Sequence, residues 1–343
     1  MREIDLSKYQ IRTDLVIDVV NEDNEFEEKE NYDFGSVSRI FLDQESSSFL
    51  GKKSGDYITI NFDDITDSDN YNKILEVVTL ELKKILEKTG IAHDFSCLII
   101  GLGNEKSTAD LLGVGVSRKV LVTKHIYDIS GSLEKGYRIT SSFVPGVKGS
   151  TGLETSDVIA SLFSVSSADF IIVIDALSSS SIDRLLKTIQ ITNTGINPGS
   201  GVGNNRKEIS SDVYGVPVIA IGVPTVVDAA TIVNDTIGFM KKHFSYNILN
   251  KDNLVHKLIP SFKTNYLIDN NYSLSREESN YFLGALGNLS DREKRFLIND
   301  VLTPIGYNLM VTPKEIDFVV SKLIDLIASA INNALHDIST KNI

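Results

Sequence analysis

Apolar runs that alternate with amphipathic segments indicate an α/β fold in this chain. Continuous runs rich in β-branched residues predict buried strands at 98–100, 170–174 and 216–222, the last stopped by a proline. Apolar residues at helical spacing predict helices at 71–88 and 312–335. Strands that alternate with helices are typical of a parallel sheet covered on both faces. We therefore expect an α/β fold with a mainly parallel sheet, helices on both faces and an extra C-terminal helix.

Two aspartates stand at the predicted ends of two of these strands. Asp110 follows the glycine-rich turn after 98–100, in the first turn of a helix expected to begin near Ser107. It could also complete a capping box with Ser107. Asp175 follows 170–174 directly, and a turn-capping role is the alternative there. If the two strands are parallel neighbours, both carboxylates face one crevice, because open α/β sheets place their sites at strand ends.

A pair of converging carboxylates has a recognisable chemistry. Two such groups in a partly dry crevice cannot both ionise easily, so the pKa of one rises. One carboxyl group can then act as an acid and the other as a base in the attack of water on an amide. The residues alone leave both interpretations open: a catalytic pair, or two aspartates that cap a helix and a turn.

The most glycine-dense segment, 192–208, is a second candidate site. Its backbone amides could hold a peptide or polarise a carbonyl group, and a surface loop is the alternative. The segment does not lie directly between a strand and a helix, which disfavours a dinucleotide site. The residues in question are Gly199, Gly201, Gly203 and the following Arg206.

Composition and charge exclude several classes of function. A net charge of -12 and a pI near 5.0 argue against a nucleic-acid-binding surface. We expect neither a membrane span nor a secretory signal, because the apolar runs are too short and the N-terminus is polar. The histidines lack metal-ligand spacing, so we expect no metal site and no cofactor. Glu105 stands where a phosphate-binding loop has glycine, and the single cysteine, Cys97, is expected to be a buried structural thiol.

Long motifs along the chain resemble the germination protease family of spore-forming bacteria. The start, IDLSKYQIRTDLVID, is similar to that family, and the resemblance is weakest at 21–56 and 245–300. The other motifs, in the family's order and spacing, are GLGNEKSTADLLG, FVPGVKGSTGLET, VIDALSSSS, QITNTGINPGSGVGNNRKE, YGVPVIAIGVPTVVDAATI and LMVTPKEID.

The resemblance implies an atypical aspartic-type endopeptidase whose core fold is shared with hydrogenase maturation proteases. It implies that Asp110 and Asp175 are the catalytic aspartates and that small acid-soluble spore proteins are the substrates during germination. It also implies a homotetramer that acts in the cytoplasm of the spore core. Departures from the family pattern are Ala109, which replaces a proline, and the serine run 178–181.

The resemblance further implies a zymogen that processes itself. The family cuts between an acidic and a hydrophobic residue, and Asp14–Leu15 fits, although Val16 replaces the preferred alanine; Glu3–Ile4 is an alternative bond. Residues 1–14 would then be the propeptide.

We expect residues 15–343 to form a single α/β peptidase domain, with 245–311 as an insertion or excursion. Two other functions stay open. One is a metal-sensing protease of the hydrogenase maturation type, which needs a histidine ligand beside the aspartates. The other is an inactive relative that only binds spore proteins.

Overall fold

A computed structural model describes most of the chain. The described residues are 13–20, 27–198, 207–249, 274–302 and 309–337. They divide into two compact units. The larger unit contains the described residues up to 179, then 183–226 and those from 312 onward, and the smaller one contains 180–182 and the described part of 227–311.

Within the described residues, the strands form a nine-stranded mixed sheet in the order β1-β2-β3-β7-β8-β6-β4-β5, with β9 paired to β8. β4 is parallel to both β5 and β6, whereas β1, β2, β3, β7 and β8 pair antiparallel in that order. Their bounds are β1 (Glu27–Tyr32), β2 (Gly35–Leu42), β3 (Gly55–Phe62), β4 (Cys97–Gly101), β5 (Thr140–Phe143), β6 (Phe170–Ser179), β7 (Thr188–Thr192), β8 (Val218–Asp228) and β9 (Met310–Val311).

Helices precede, connect and follow these strands. They are α1 (Gln44–Leu50), α2 (Ser68–Lys88), α3 (Leu112–Lys119), α4 (Lys124–Ser130), α5 (Lys148–Thr151), α6 (Thr155–Ser166), α7 (Ser211–Tyr214), α8 (Ala229–Leu249), α9 (Arg276–Leu283), α10 (Asp291–Leu302) and α11 (Ile316–Leu335). Short 3-10 turns lie at Thr108–Asp110, Ile182–Arg184 and Gly284–Asn288.

The two strands predicted at 98–100 and 170–174 are parallel neighbours. Leu98 of β4 pairs with Ile171 of β6, and Gly101 pairs with Ile174. All five residues of β4 and the first five of β6 are buried, which explains why each reads as a continuous apolar run. The condition for the two aspartates to share one edge of the sheet is therefore met.

Helices cover both faces of the sheet. On one face, Ile159 of α6 packs in a cluster with Leu98 and Val173. Gly101 lies on the opposite face by strand alternation, and a Cβ there would stand 2.1 Å from the carbonyl oxygen of Gly113 in α3. α3 in turn packs against α11, which packs against α2. The predicted α/β class is confirmed.

Three predicted boundaries are wrong. β6 does not end at Asp175 but continues to Ser179. Its polar end is stabilised by the N-terminal segment, where the side chain of Asp14 accepts a hydrogen bond from the amide of Ser178. β8 runs through Pro224, which lies between the stretches of β8 paired with β7 and with β9. α11 begins at Ile316 rather than at the predicted 312, because Thr312 is held outside the helix by the hydrogen bond that its hydroxyl donates to the backbone carbonyl of Thr225 (2.9 Å).

α11 is the one helix of the described residues that is long and apolar enough to cross a membrane. Half of its apolar window is buried inside the protein, as in the core helix of a globular domain. Its length and composition therefore follow from its place between α2 and α3.

The smaller unit has its own apolar cluster, built from Ala230 and Ile237 of α8 and Ile298 of α10. The end of β8 pairs with β9, Val227 opposite Val311. The predicted excursion at 245–311 falls in this unit, in part outside the described residues. The single peptidase domain expected at 15–343 stays a prediction.

His336, which follows α11, makes the stability of the larger unit depend on pH. Its Nδ1 accepts a hydrogen bond from the backbone N–H of Arg138 (3.1 Å). Burial lowers the pKa of His336 from 6.5 to about 4, and the charge of Arg138 adds to this shift. Between pH 6.5 and about pH 4, His336 therefore binds a proton in the unfolded chain but not in the folded chain. The contribution of His336 to stability is complete above pH 6.5 and is lost as the pH falls towards 4.

We expect the free energy of unfolding of the His336→Asn variant to fall less across this window than that of the wild type. The Asn Oδ1 can accept the same hydrogen bond without titrating. Denaturant titrations above pH 6.5 and near pH 4 measure the difference. His125→Asn, at an exposed position, is the matched control. Identical pH dependence in wild type and His336→Asn would contradict this prediction.

Candidate active site

Asp110 lies in an exposed 3-10 turn, Thr108–Asp110, between β4 and α3. The side chain of Ser107 makes no capping hydrogen bond, and α3 begins only at Leu112. The capping box considered from the sequence is therefore absent at this turn. The turn is tied down through its backbone, since the amide of Asn104 donates to the Asp110 carbonyl oxygen (3.2 Å).

Two glycines let this turn approach the sheet closely. Gly103 has φ +123°, and a Cβ there would stand 1.9 Å from the carbonyl oxygen of Asp110. A Cβ on Gly113 would stand 2.4 Å from the carbonyl oxygen of Ile174. The start of α3 thus lies directly on the residue before Asp175, and only glycine permits either contact.

Asp175 lies within β6 and is half-buried. The amide of Leu102, at the end of β4, donates to the carbonyl oxygen of Ile174 (2.8 Å). The 3-10 turn that carries Asp110 contacts β6. Asp110 and Asp175 are therefore both placed beside the carboxyl-terminal end of β4, since Gly101, the last residue of β4, pairs with Ile174.

The segment 13–20 lies against the end of β6. The amide of Asp14 donates to the carbonyl oxygen of Ser178 (3.0 Å), and the amide of Ser178 donates to Oδ2 of Asp14 (2.9 Å). The amide of Val16 donates to Oε1 of Gln190 (2.8 Å). Leu15 and Val16 are both fully buried. The bond between Asp14 and Leu15 is thus held by the strand that carries Asp175.

The alternation of strands shows which face this segment covers. Asp175 falls on the same face as Val173, two residues before it on β6. Ala220 of β8 packs in the same cluster as Val173, so Gly222 lies on that face too. Gln190 of β7 is paired with Gly222 and shares its face. The side chain that binds Val16 therefore lies on the face that carries Asp175.

The buried side chain of Asp18 holds the segment 13–20 in place. Its side chain is 1% exposed and forms an ion pair with Nε of Arg184 (2.7 Å). It also accepts hydrogen bonds from the hydroxyls of Thr13 (2.5 Å) and Ser179 (3.1 Å). A buried carboxylate with these partners fixes Thr13, one residue before Asp14, to the end of β6.

Sequence patterns do not point to most of these contacts. Arg184 belongs to no motif considered above. Asp18 and Gln190 stand at the ends of two motifs shared with the family, but nothing in those motifs shows that they bind Arg184 and Val16. The usable signal is the similarity of these two motifs to the family, which marks residues 13–18 and Gln190 without showing what they contact.

The predicted substrate loop, Gly199, Gly201, Gly203 and Arg206, lies outside the described residues. Its flanks are paired, because Ile196 and Ile209 exchange two backbone hydrogen bonds of 2.9 and 2.8 Å. The role of the loop stays a prediction.

Cys97 and the histidines are the remaining side chains considered from the sequence. Cys97 is buried in β4, and burial raises the pKa of its thiol, as befits a structural residue. No group of three or more histidine, cysteine or acidic side chains that could hold a metal ion occurs within the described ranges.

Comparison with known proteins identifies the family. The model of the germination protease family matches residues 11–343. The germination protease of Bacillus cereus (strain B4264) is 43% identical over 350 residues, which cover 97% of this chain and 95% of that protein. Those of Bacillus cytotoxicus and Bacillus mycoides (strain KBAB4) are 43% and 42% identical over 353 residues, with the same coverage. The predicted resemblance is confirmed, and this chain belongs to the germination protease family of peptidases.

Proposed function

We propose that this chain is an aspartic-type endopeptidase that degrades small acid-soluble spore proteins and is made as a zymogen. The observation that carries the proposal is that Asp110 and Asp175 both lie beside the carboxyl-terminal end of β4. In addition, Asp14, the first residue of the Asp14–Leu15 bond, is hydrogen-bonded to Ser178 of β6, the strand that contains Asp175. An acidic residue followed by a buried hydrophobic one at this position supports a self-processing bond.

The proposed reaction is the attack of water on the scissile amide. One of Asp110 and Asp175, as carboxylate, takes a proton from the water. The other, in its protonated form, donates to the leaving nitrogen. Asp175 is half-buried and Asp110 is exposed, so the two carboxyl groups stand in different environments.

The remaining parts of the proposal rest on family membership. Substrates would be the small acid-soluble spore proteins of the spore core, and the active form would be a homotetramer in the cytoplasm. The glycine-rich residues 199–203 with Arg206 are proposed to contact the substrate backbone.

Intact mass and N-terminal sequencing of the incubated chain test the processing bond. We expect the wild type to lose residues 1–14 and to begin at Leu15. Asp14→Lys should slow this cut by about 10²-fold or more, because lysine cannot accept the hydrogen bond that the Ser178 amide donates to the Asp14 carboxylate. Cleavage of a purified small acid-soluble spore protein by the same samples tests the substrate.

Glu3→Lys is the matched control, since Glu3–Ile4 is the alternative bond. It should leave the cut at Asp14–Leu15 unchanged. If Glu3→Lys blocks processing and Asp14→Lys does not, the assigned bond is wrong. A wild type that neither processes nor cleaves spore proteins would contradict the proposed function and favour an inactive, spore-protein-binding relative.

A further inference from the structure

Lys52 binds the carbonyl side of the Asp14–Leu15 bond. Its ammonium nitrogen lies 3.0 Å from the backbone carbonyl oxygen of Thr13 and 3.2 Å from that of Asp14. The second of these is the carbonyl group of the bond proposed to be cut. Both contacts are within hydrogen-bond distance, and an ammonium group donates to both.

The backbone around Lys52 fixes the position of this side chain. α1 ends at Gly51, which has φ 65° and lies in the left-handed region. The amide of Lys52 donates to the carbonyl oxygen of Ser47 (3.2 Å), and the Ser47 hydroxyl donates to the carbonyl oxygen of Lys52 (2.5 Å). The lysine thus extends from a closed turn towards the segment 13–14.

Lys52 is half-buried and lies beside two carboxylates. Burial lowers the pKa of Lys52, while the carboxylates of Asp14 and Asp18 oppose this shift and favour the ammonium form. In such surroundings a positive charge interacts with a carbonyl oxygen more strongly than it would in water. The neighbouring Lys53 differs, because its ammonium binds the carboxylates of Glu208 (2.9 Å) and Asp212 (2.7 Å).

We propose that Lys52 is a catalytic residue for self-processing, which binds and orients the Asp14 carbonyl oxygen and stabilises the negative charge that develops on it. This inference rests on the proposed function and adds a third group to the two aspartates. It assigns to a side chain the role that backbone amides play in an oxyanion hole.

The step can be written with every atom accounted for. The water oxygen bonds to the Asp14 carbonyl carbon, one aspartate takes a water proton, and the C=O electron pair moves to the oxygen held by Lys52. The C–N bond then breaks as the C=O bond re-forms, and the Leu15 nitrogen leaves with a proton from the other aspartate. The products are a carboxyl group on Asp14 and a new amino group on Leu15.

Rates of self-processing in three full-length variants test the proposal. Lys52→Met keeps the length of the side chain and removes its charge, and we expect processing about 10²- to 10³-fold slower than in the wild type. Lys52→Arg keeps a charged donor and should process at least about tenfold faster than Lys52→Met. Lys53→Met, the matched control, should process within about threefold of the wild type, because Lys53 does not contact the bond. Intact mass at successive times gives each rate.

A second measurement does not depend on activity. In the Asp175→Asn background we expect residues 1–14 to remain. Hydrogen exchange there measures how firmly residues 13–15 are held against the rest of the protein. We expect the amides of Asp14 and Leu15 to exchange about tenfold faster with Lys52→Met than with Lys53→Met. Thermal unfolding of both chains should coincide, which shows that the fold is kept.

Each result bears on one question. If Lys52→Met processes within about threefold of Lys53→Met, the proposed role of Lys52 is overturned while the protease assignment stands. If no chain processes or cleaves spore proteins, the wild type included, the proposed function fails. Hydrogen exchange then decides whether Lys52 holds the bond: faster exchange supports that contact, and unchanged exchange overturns it.

Discussion

Asparagine at Asp110 or at Asp175 is expected to reduce both self-processing and spore-protein cleavage by at least about 10³-fold. The substitution keeps the shape of the side chain and removes its ability to take or give a proton. Asp110 is exposed and Asp175 is half-buried, so we expect the variants to stay folded. Intact mass follows the loss of residues 1–14, and gel electrophoresis with a purified small acid-soluble spore protein follows cleavage in trans.

Asp128→Asn is the control for this pair of variants. Asp128 lies on the exposed side of α4 and pairs with Lys124 (3.0 Å), a surface contact that contributes little to stability. It should cleave at the wild-type rate. A chain with asparagine at both Asp110 and Asp175 that still cuts would refute the aspartate mechanism and leave only the peptidase family.

Alanine at Gly103 is expected to reduce cleavage by about 10²-fold or more without touching either carboxylate. The added Cβ would stand 1.9 Å from the Asp110 carbonyl oxygen, and φ +123° is unfavourable for any residue with a side chain. The turn that carries Asp110 must therefore move. We also expect a loss of about 1–3 kcal/mol in the free energy of unfolding, measured by denaturant titration.

Gly149→Ala is the matched substitution. A Cβ at Gly149, within α5, would meet nothing within 4 Å. Activity and stability should both stay close to those of the wild type. Wild-type cleavage by the Gly103→Ala chain would mean that the position of Asp110 is not set by this turn, or that Asp110 is not needed.

Local sequence patterns predict the parallel core well. β4 and the first half of β6 are continuous apolar runs, because parallel strands covered on both faces bury every residue. Patterns fail where polar residues are satisfied by distant partners. The end of β6 is polar, and Thr312 opens the helix predicted at 312–335, yet both form hydrogen bonds with residues far away along the chain.

By itself, the sequence determined the family and the α/β class, because motifs and buried apolar runs are read from consecutive residues. It also predicted the two aspartates as candidate catalytic residues. Only the tertiary structure decided what surrounds the Asp14–Leu15 bond. Ser178 is 164 residues from Asp14, and Gln190 is 174 residues from Val16. Lys52 comes from a turn 38 residues beyond Asp14. These contacts depend on which strands are neighbours in the sheet, and the local pattern of apolar and polar residues does not contain that information.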